Sequence, residues 1–375
     1  MAEEYDVIVI GGGSSGENVA GLTAPGGLTT VVVESELVGG ECSYWACMPS
    51  KALLRPAEAL ASVRRVPGAS GAVTGELDVA EVLQRRDAVS NNWDDSGQVQ
   101  WLEGVNTPLI RGHARLTGER AVTVTTQDGG TVELRARRAV VIATGSAASM
   151  PPIEGLAEAA VWDSRKVTTA QKVPGSLIIL GGGAVGVEMA QAWCSLGSQV
   201  TLVEMQDRLL PNDEPFAGEL VAEGLATSGV RVLTGAQVDR VRRNGSTVTA
   251  TLADGSEVTG DEIVVAVGRR PVTDDLGVET IGLEPGKYIK VDDQLRAVDV
   301  AGGWLYAVGD VNARNLLTHM GKYQGRQAGA HILGGDVSAW ADNVAAPRVV
   351  FTDPQVAAVG LTEQAARDKG LNVRG

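Results

Sequence analysis

The sequence has few of the residues that mark several large protein classes. Of its 375 residues, 3 are cysteines and 3 are histidines, and aromatic side chains make up 4%. Three cysteines cannot form the disulfide framework of a secreted scaffold. No apolar stretch reaches the roughly 18 residues that a membrane span needs, and the acidic start, MAEEYD, runs straight into an apolar strand. We therefore expect a cytoplasmic protein with no membrane partner.

Positive charge is also scarce. The chain has 32 Lys and Arg against 46 Asp and Glu, so its formal net charge is 32 − 46 = −14. This balance argues against nucleic acid as a partner. The hydrophobic content of 44% is enough to fill the cores of two or three domains. The histidines are scattered singly, and neither a nucleophile elbow nor a P-loop occurs.

Two segments of the chain look like copies of one nucleotide-binding unit. Residues 5–34 and 176–204 each contain an apolar strand, a GxGxxG turn, a helical stretch, a second strand and a closing glutamate, Glu34 or Glu204. The first glycine and this glutamate are 23 residues apart in both copies, 34 − 11 and 204 − 181. Such glycines let the backbone approach a pyrophosphate, the helix N-terminus supplies free N–H groups, and the acid accepts hydrogen bonds from a ribose. Pro25 should end the first helix earlier than the second.

The order of the remaining strands indicates that one unit is inserted in the other. Each copy ends in a further apolar strand, at residues 139–146 and 262–269, and residues 150–155 form a Pro-rich crossover. Residues 305–310 read as a strand that returns into the first sheet, which places Asp310 at the edge where ligands bind. The alternative is a simple turn at the end of a strand. Residues 316–332 then read as a helix whose N-terminus faces the same ligand.

Residues 39–51, GGECSYWACMPSK, contain two cysteines beside the first nucleotide turn. Cys42 and Cys47 are five residues apart, about 7.5 Å of rise on a regular helix, which is longer than a disulfide usually tolerates. The turn must therefore be distorted, and Pro49 fits because it lacks an N–H group. Thiol–disulfide exchange explains this pair better than structural bridging or a zinc site, so no metal is expected. Cys194, by contrast, should be a buried small hydrophobe.

Taken in order, these motifs resemble those of the flavoprotein disulfide reductases in the pyridine nucleotide-disulfide oxidoreductase family. GGxCxxxxCxPSK at residues 39–51 is the most specific, supported by both GxGxxG turns, ATG at 143–145, GRRP at 268–271 and GD at 309–310. The resemblance covers nearly the whole chain. It implies an α/β fold with two Rossmann-like domains, the second inserted in the first, and the start of an α+β interface (dimerisation) domain. The implied ranges are 1–150 and 271–345 for the FAD-binding domain, 151–270 for the NAD(P)-binding domain and 346–375 for the partial interface domain.

The resemblance also implies an enzyme that passes electrons between NAD(P)H, FAD and the Cys42–Cys47 disulfide. Dihydrolipoamide dehydrogenase is the first choice among the family's activities. In the family the second motif cysteine contacts the flavin and the first exchanges with substrate, which assigns these roles to Cys47 and Cys42. Lys51 would lie by the flavin N5, paired with Glu188. The implied FAD contacts are Gly11, Gly13, Ser14, Gly16, Glu34, Gly40, Lys51, Ala114, Thr144, Gly145, Asp310, Leu317, Thr318 and His319, and the implied NAD contacts are Gly181, Gly183, Val185, Gly186, Glu204 and Gly268.

The choice between NAD and NADP depends on the second glutamate. Glu204 favours NAD, because a carboxylate accepts a hydrogen bond from a ribose 2′-OH but repels a 2′-phosphate. Arg208 lies nearby in sequence and would soften that preference. NAD is therefore the expected dinucleotide, with NADP as the alternative.

The chain departs from the family pattern between the two cysteines. Tyr44 and Trp45 replace small and polar residues, and Ala46 stands where a glycine is usual. The rings either cap the disulfide or bind a flat substrate, or they only pack beneath the flavin loop. No particular substrate is carried over for this reason, beyond a small disulfide, a dithiol or another electron acceptor.

A second departure concerns the C-terminal residues. Residues 347–375 resemble the opening strands and helix of the interface domain, whereas the family's His–Glu acid/base pair and most of its dimer contact would follow. We expect a fragment of a longer reductase and, for these residues alone, a monomer or an unstable dimer in place of the family's homodimer. Two functions remain as alternatives to a disulfide oxidoreductase. One is a reductase of a quinone, a metal ion or oxygen, and the other is a catalytically incomplete FAD-binding fragment or redox sensor.

Overall fold

The computed structural model describes residues 2–374, except for the side chain of Asn343. Met1, where the first predicted domain range begins, and Gly375, where the last one ends, lie outside the described residues. The chain forms two compact units. The predicted domain ranges were assigned by cofactor and not by compactness, so they stay a prediction. The first unit is Met1–Tyr44, Trp93–Ala147 and Arg269–Ala346, and the second is Trp45–Asn92, Ala148–Gly268 and Pro347–Gly375.

Strands form the sheets of both units. In chain order they are β1 (Glu3–Ile10), β2 (Thr30–Glu34), β3 (Leu109–Gly118), β4 (Ala121–Thr126), β5 (Thr131–Ile142), β6 (Ser146–Ala148), β7 (Ser176–Leu180), β8 (Gln199–Val203), β9 (Arg231–Leu233), β10 (Val238–Asn244), β11 (Thr247–Leu252), β12 (Glu257–Gly260), β13 (Glu262–Val265), β14 (Arg269–Pro271), β15 (Leu305–Ala307), β16 (Pro347–Val350) and β17 (Val356–Val359).

Helices connect these strands. They are α1 (Ser14–Thr23), α2 (Gly40–Tyr44), α3 (Cys47–Arg64), α4 (Val79–Val89), α5 (Ser96–Gly104), α6 (Ser164–Thr169), α7 (Ala184–Ser195), α8 (Pro215–Thr227), α9 (Thr318–Ile332), α10 (Ala341–Val344) and α11 (Glu363–Asp368), with short 3₁₀ turns at Ser70–Ala72, Asn91–Trp93, Val278–Ile281 and Asp310–Asn312. Among the described residues, none of these helices is long and apolar enough to cross a membrane.

A parallel sheet organises the first unit. β1 lies between β2 and β5, with Val7 opposite Thr30 on one side and Ala139 on the other. β3 extends the sheet beyond β2, and β15 extends it beyond β5. β4 joins β3 and β5 in an antiparallel meander. Residues 7–10 of β1 are buried, as expected for a strand covered on both faces. The strand predicted at residues 305–310 returns into the first sheet through β15, Leu305–Ala307, and Asp310 follows in a 3₁₀ turn.

The second unit repeats this plan. β7 lies between β13 and β8, and β9 follows β8, all of them parallel. β10, β11 and β12 form an antiparallel sheet. α7 follows β7 as α1 follows β1, but α7 has 12 residues and α1 has 10, because Pro25 disfavours continuation of α1. The predicted duplication and the shorter first helix are confirmed.

Two further segments belong to the second unit. α3 and α4 contribute Leu53 and Val82 to a core that also holds Val187 from α7. The hairpin of β16 and β17 packs beside them through Val350, and α11 follows it. The predicted strands and helix of an opening interface domain are therefore present.

Candidate active site and cofactor sites

The first glycine-rich turn, between β1 and α1, can be built only with glycine at its key positions. Gly11 has a φ of +105°, and a Cβ atom there would overlap the carbonyl oxygen of Ala143. A Cβ atom at Gly16 would overlap the carbonyl oxygen of Gly11. The backbone is thus as close to its neighbours as atoms allow, and a turn of this kind lets a pyrophosphate approach the backbone.

The start of α1 completes this turn. Gly13 is the N-cap and has no side chain to bond the first N–H groups, and α1 begins at Ser14. The first four N–H groups of a helix lack intrahelical partners, so this end favours a bound phosphate. Gly40, with a φ of +60°, lies so close to the turn that a Cβ atom on it would be 2.9 Å from the Cα atom of Gly13.

The second turn, between β7 and α7, has the same construction. Gly181 has a φ of +106°, and a Cβ atom there would lie 2.5 Å from the carbonyl oxygen of Ala266. A Cβ atom at Gly186 would overlap the carbonyl oxygen of Gly181. Gly183 is the N-cap of α7, and Val185 near its start is exposed. The second unit therefore presents a second phosphate site of the same kind.

The two closing glutamates make equivalent hydrogen bonds. Glu34 accepts from the N–H of Gly12 at 2.6 Å and from that of Glu36 at 2.8 Å. Glu204 accepts from the N–H of Gly182 at 2.5 Å and from that of Gln206 at 2.7 Å. Each carboxylate is therefore locked beside its glycine turn, where a ribose would lie.

The guanidinium of Arg208 forms hydrogen bonds with the backbone. It donates to the carbonyl oxygens of Leu210 at 2.9 Å and Pro211 at 2.7 Å. Both contacts belong to the second unit, and they occupy part of the donor set of the guanidinium.

The cysteine motif is divided between two helices. α2 carries Cys42 and ends at Tyr44, and α3 begins at Cys47. Between them Ala46 has φ −122° and ψ −94°, so the helix is broken. The distortion expected from the cysteine spacing is present. The two compact units divide at the same place, after Tyr44.

The aromatic residues of the motif have different environments. Tyr44 is 1% exposed, its hydroxyl donates to the carbonyl oxygen of Val38 at 3.1 Å, and burial raises its pKa to about 12. The guanidinium of Arg165 lies over the ring of Trp45, with Arg165 Cζ 4.1 Å from the ring centroid. The carbonyl oxygen of Trp45 accepts from Thr168 Oγ1 at 2.7 Å. Tyr44 therefore packs in the interior and cannot bind substrate, whereas Trp45 is held at a half-buried position beside the cysteines.

Lys51 and Glu188 form an ion pair within the second unit. The distance from Lys51 Nζ to Glu188 Oε2 is 2.7 Å, and the Glu188 side chain is 5% exposed. Glu188 Oε1 accepts from the N–H of Phe351 at 3.0 Å, and the Phe351 ring lies 5.0 Å from Lys51 Nζ. Lys51 follows Cys47 by four residues on α3, so the two side chains share one face of the helix.

Asp310 lies in a polar cluster that sequence patterns only partly revealed. Ser146 Oγ donates to Asp310 Oδ2 at 2.5 Å, and Arg269 Nε lies 3.7 Å from the same oxygen and 2.6 Å from Ser146 Oγ. Burial raises the pKa of Asp310, and Ser146 and Arg269 oppose the rise. Ser146 was not predicted as a site residue; its position directly after ATG was the available signal. Thr144, in that motif, donates to the carbonyl oxygen of Val272 at 2.7 Å, and Gly145 has a φ of +69°.

The remaining predicted contacts are distributed between the units. Leu317 is the N-cap of α9, which begins with Thr318 and His319. Ala114 is buried on β3. Gly268, with a φ of +146°, follows β13 in the second unit. The predicted FAD contacts belong to the first unit, except Lys51, which belongs to the second. All the predicted NAD contacts belong to the second unit. Cys194 is half-buried, not buried as expected, and its thiol lies 3.2 Å from the carbonyl oxygen of Ser228.

These residues fit FAD and a nicotinamide dinucleotide. Each unit supplies a side-chain-free glycine turn, an uncapped helix start and a fixed carboxylate, which match a pyrophosphate and a ribose. With the two cysteines of the motif, Cys42 on α2 and Cys47 at the start of α3, they define a dinucleotide-dependent thiol–disulfide oxidoreductase.

Comparison with known proteins agrees with this class. A family model described as pyridine nucleotide-disulphide oxidoreductase matches residues 5–328, and the model of the corresponding dimerisation domain matches residues 346–374. The chain therefore belongs to the pyridine nucleotide-disulphide oxidoreductase family.

Individual relatives are similar along the whole chain. Dihydrolipoyl dehydrogenase of Chlorobaculum tepidum is 34% identical over 100% of this chain and 80% of its own length. Mercuric reductase of Lysinibacillus sphaericus is 31% identical over 99% of this chain and 67% of its own. Among solved structures, the HOCl-induced flavoprotein disulfide reductase RclA of Escherichia coli has a TM-score of 0.85 and 26% identity, over 99% of this chain and 80% of that one. LpdA of Mycobacterium tuberculosis has a TM-score of 0.84 and 28% identity, over 100% and 81%.

Several predictions from the sequence are confirmed by this membership. They are the α/β fold class, FAD and a nicotinamide dinucleotide as cofactors, and the activity of a disulfide oxidoreductase that resembles dihydrolipoyl dehydrogenase. The roles of individual site residues and the domain boundaries stay predictions.

Proposed function

We propose that the chain oxidises a dithiol of the dihydrolipoamide class to its cyclic disulfide, with NAD⁺ as the final acceptor. The observation that carries this proposal is the position of Cys47 at the first residue of α3, one helical turn before Lys51. A helix N-terminus and a nearby ammonium group both stabilise a thiolate. The similarity to dihydrolipoyl dehydrogenases supports the choice of substrate.

In the proposed reaction Cys42 and Cys47 exchange with the substrate. A substrate thiolate attacks Cys42 Sγ of the Cys42–Cys47 disulfide, so a mixed disulfide forms and Cys47 leaves as a thiolate. The second substrate thiol then displaces Cys42, which yields the cyclic disulfide and the reduced pair. Bound FAD supplies a two-electron relay from this dithiol to the nicotinamide. One hydride thus reaches NAD⁺, and one proton is released as the two thiols of the substrate become a disulfide.

The charged pair beside the motif has a supporting role. Lys51 holds positive charge on the face of α3 that Cys47 shares, and Glu188 keeps the ammonium in place. We assign Asp310 to the ribityl chain of FAD, with Ser146 and Arg269 holding its carboxylate.

The preference for NAD follows from the position of Glu204. Glu204 is fixed beside the second glycine turn by two backbone N–H groups and repels a 2′-phosphate.

The proposal is tested with the 375-residue flavoprotein under anaerobic conditions. Dihydrolipoamide and NAD⁺ are supplied and NADH formation is followed, and in the reverse direction the flavin absorption band is titrated with NADH or NADPH. Cys42→Ser should abolish turnover and leave FAD bound, while Cys194→Ser is the matched control and should keep the wild-type rate. Turnover of Cys42→Ser at the wild-type rate would contradict the mechanism.

A metal ion is the second candidate acceptor. The similarity to a mercuric reductase favours it. The same variants are assayed with NADH and Hg²⁺. Metal-dependent NADH oxidation in the absence of any dithiol activity would replace the first proposal.

We further propose that residues 346–374 take part in a weak homodimer. The family's dimerisation domain matches these residues, and the hairpin of β16 and β17 exposes Val359 at 67%. A second copy would cover this apolar surface. Sedimentation velocity should show a dimer that dissociates on dilution, and a concentration-independent monomer would contradict this.

A further inference from the structure

Gln324, in the middle of α9, uses both ends of its side-chain amide in hydrogen bonds within the first unit. Its side chain is 0% exposed. Gln324 Oε1 accepts from the N–H of Gly309 at 2.7 Å and from Asn312 Nδ2 at 2.8 Å. Gln324 Nε2 donates to Asp342 Oδ2 at 3.0 Å. Acceptor and donor ends are therefore both fixed.

The turn that Gln324 holds follows β15 and carries Asp310. Gly309 has a φ of +79°, and a Cβ atom on it would lie 2.5 Å from Ser15 Oγ, so only glycine fits. The side-chain amide of Asn312 also donates to the carbonyl oxygen of Ala307 at 3.0 Å. The conformation on either side of Asp310 is thus set by hydrogen bonds to buried side chains.

Asp342, on α10, determines which way the Gln324 amide points. Its carboxylate is buried, and burial raises its pKa. The other groups that face it are Arg314 Nη1 at 3.5 Å and Asn315 Nδ2 at 3.5 Å. Arg314 also pairs with Asp293 Oδ1 at 2.8 Å. A carboxylate with these neighbours needs a donor from Gln324, which turns the amide oxygen toward Gly309.

We propose that Gln324 is a positioning residue for FAD binding: oriented by Asp342, it fixes the Gly309 turn and thereby the carboxylate of Asp310. An apolar side chain of the same volume would fill the space, but it would leave the N–H of Gly309 without its buried acceptor. The inference rests on the role of Asp310 given under the proposed function.

The first test is Gln324→Glu, read out as the rate of FAD release. A protonated glutamic acid keeps one acceptor and one donor, like the native amide, whereas the ionised form has no donor for Asp342. Release should therefore match wild type at pH 5.5 and be about tenfold faster at pH 8.5, because the ionised glutamate leaves a buried hydrogen bond unmade. The purified flavoprotein is diluted and the rise in flavin fluorescence is followed.

The second test is a compensating change. In Gln324→Glu combined with Asp342→Asn, the new amide donates to the new carboxylate at any pH. Release should return to within about threefold of wild type and lose its pH dependence. Gln191→Glu is the matched control, because Gln191 is a buried glutamine on α7 whose Oε1 accepts from the N–H of Asp353 at 2.7 Å. It should leave FAD release unchanged at both pH values.

Two results would overturn the inference. One is FAD release from Gln324→Glu at the wild-type rate at pH 8.5, and the other is a double variant that releases FAD as fast as the single one. If Gln324→Glu does not fold, Gln324→Met replaces it, with release about tenfold faster at both pH values in support and wild-type release against. The assay contains neither NADH nor a disulfide, so an error in the proposed substrate does not affect it.

Discussion

The ammonium of Lys51 lies 2.7 Å from the carboxylate of Glu188, although the two residues are 137 apart in the sequence. Lys51 is on α3, one turn after Cys47, and Glu188 is on α7. Because the second carboxylate oxygen of Glu188 is held by the N–H of Phe351, the anion cannot swing away. The pair therefore keeps one positive charge on the face of α3 where the motif cysteine lies.

Replacing Lys51 should slow electron transfer without unfolding the protein. In Lys51→Met the stem length is kept, and the charge that we propose stabilises the Cys47 thiolate and the reduced flavin is lost. We expect turnover with dihydrolipoamide to fall about a hundredfold, as when one preorganised charge-stabilising donor is removed from an active site. Stopped-flow absorbance measures the flavin reduction rate. Lys172→Met, on the exposed surface of the same unit, is the control, and an equal effect of both variants would count against this role.

Glu204 should control the choice of dinucleotide. Glu204→Ala removes the carboxylate that would repel a 2′-phosphate, so kcat/KM for NADPH relative to NADH should rise about tenfold. Steady-state kinetics with both dinucleotides measure this ratio. Glu223→Gln, exposed on α8, should leave it unchanged. An unaltered ratio in Glu204→Ala would remove the basis for proposing NAD.

Glu17, in the first turn of α1, should make stability depend on pH. Burial raises the pKa of Glu17 from 4.5 to about 7, while Lys322 opposes the rise and Glu34 adds to it. The pKa of Glu17 is higher in the folded than in the unfolded chain. The contribution of protonated Glu17 to the stability of the folded chain is therefore complete below about pH 4.5 and is lost as the pH rises through about 7. Glu17→Gln should therefore be more stable than wild type at pH 8, by on the order of 2 kcal/mol, and nearly equal to it at pH 5.

Thermal melts at pH 5, 6, 7 and 8 measure this difference. Exposed Glu219 on α8 provides the control, since Glu219→Gln should shift the melting temperature little at any pH. A difference between Glu17→Gln and wild type that stays constant from pH 5 to pH 8 would show that Glu17 does not titrate in this range.

Two adjacent arginines on α4 should differ sharply in their effect on stability. Arg86 is 0% exposed and its Nη1 donates to the carbonyl oxygens of Thr168 at 2.7 Å and Ala170 at 3.0 Å. Arg86→Met leaves these carbonyls without their buried donor and should destabilise the second unit by about 3 kcal/mol. Arg85→Met, at an exposed position, should cost less than about 1 kcal/mol. Denaturant unfolding followed by tryptophan fluorescence compares the two, and equal midpoints would contradict the prediction.

Much of the fold was predictable because it depends on short stretches of sequence. The buried run of β1, the positive φ at Gly11 and the early end of α1 before Pro25 all follow from residues within one element. The break at Ala46 followed from the cysteine spacing and Pro49. The partners of buried polar groups were less accessible: Ser146 meets Asp310 from 164 residues away, and nothing near Gln324 in the sequence points to Gly309.

The aromatic residues between the cysteines show the same division. From the sequence, Tyr44 and Trp45 had equal standing as substrate contacts or as packing residues. The structure separates them, because Tyr44 is enclosed and hydrogen-bonded to Val38, whereas Trp45 lies beneath Arg165, 120 residues further along the chain, 165 − 45.

The sequence by itself determined the two nucleotide turns, the thiol motif and the family, since these depend on glycine geometry and on spacings of a few residues. Tertiary structure alone decided how each buried charge is held. Lys51 with Glu188, Asp310 with Ser146, and Gln324 with Asp342 are joined only when separate elements pack, and a buried polar group is tolerated only where such a partner is present.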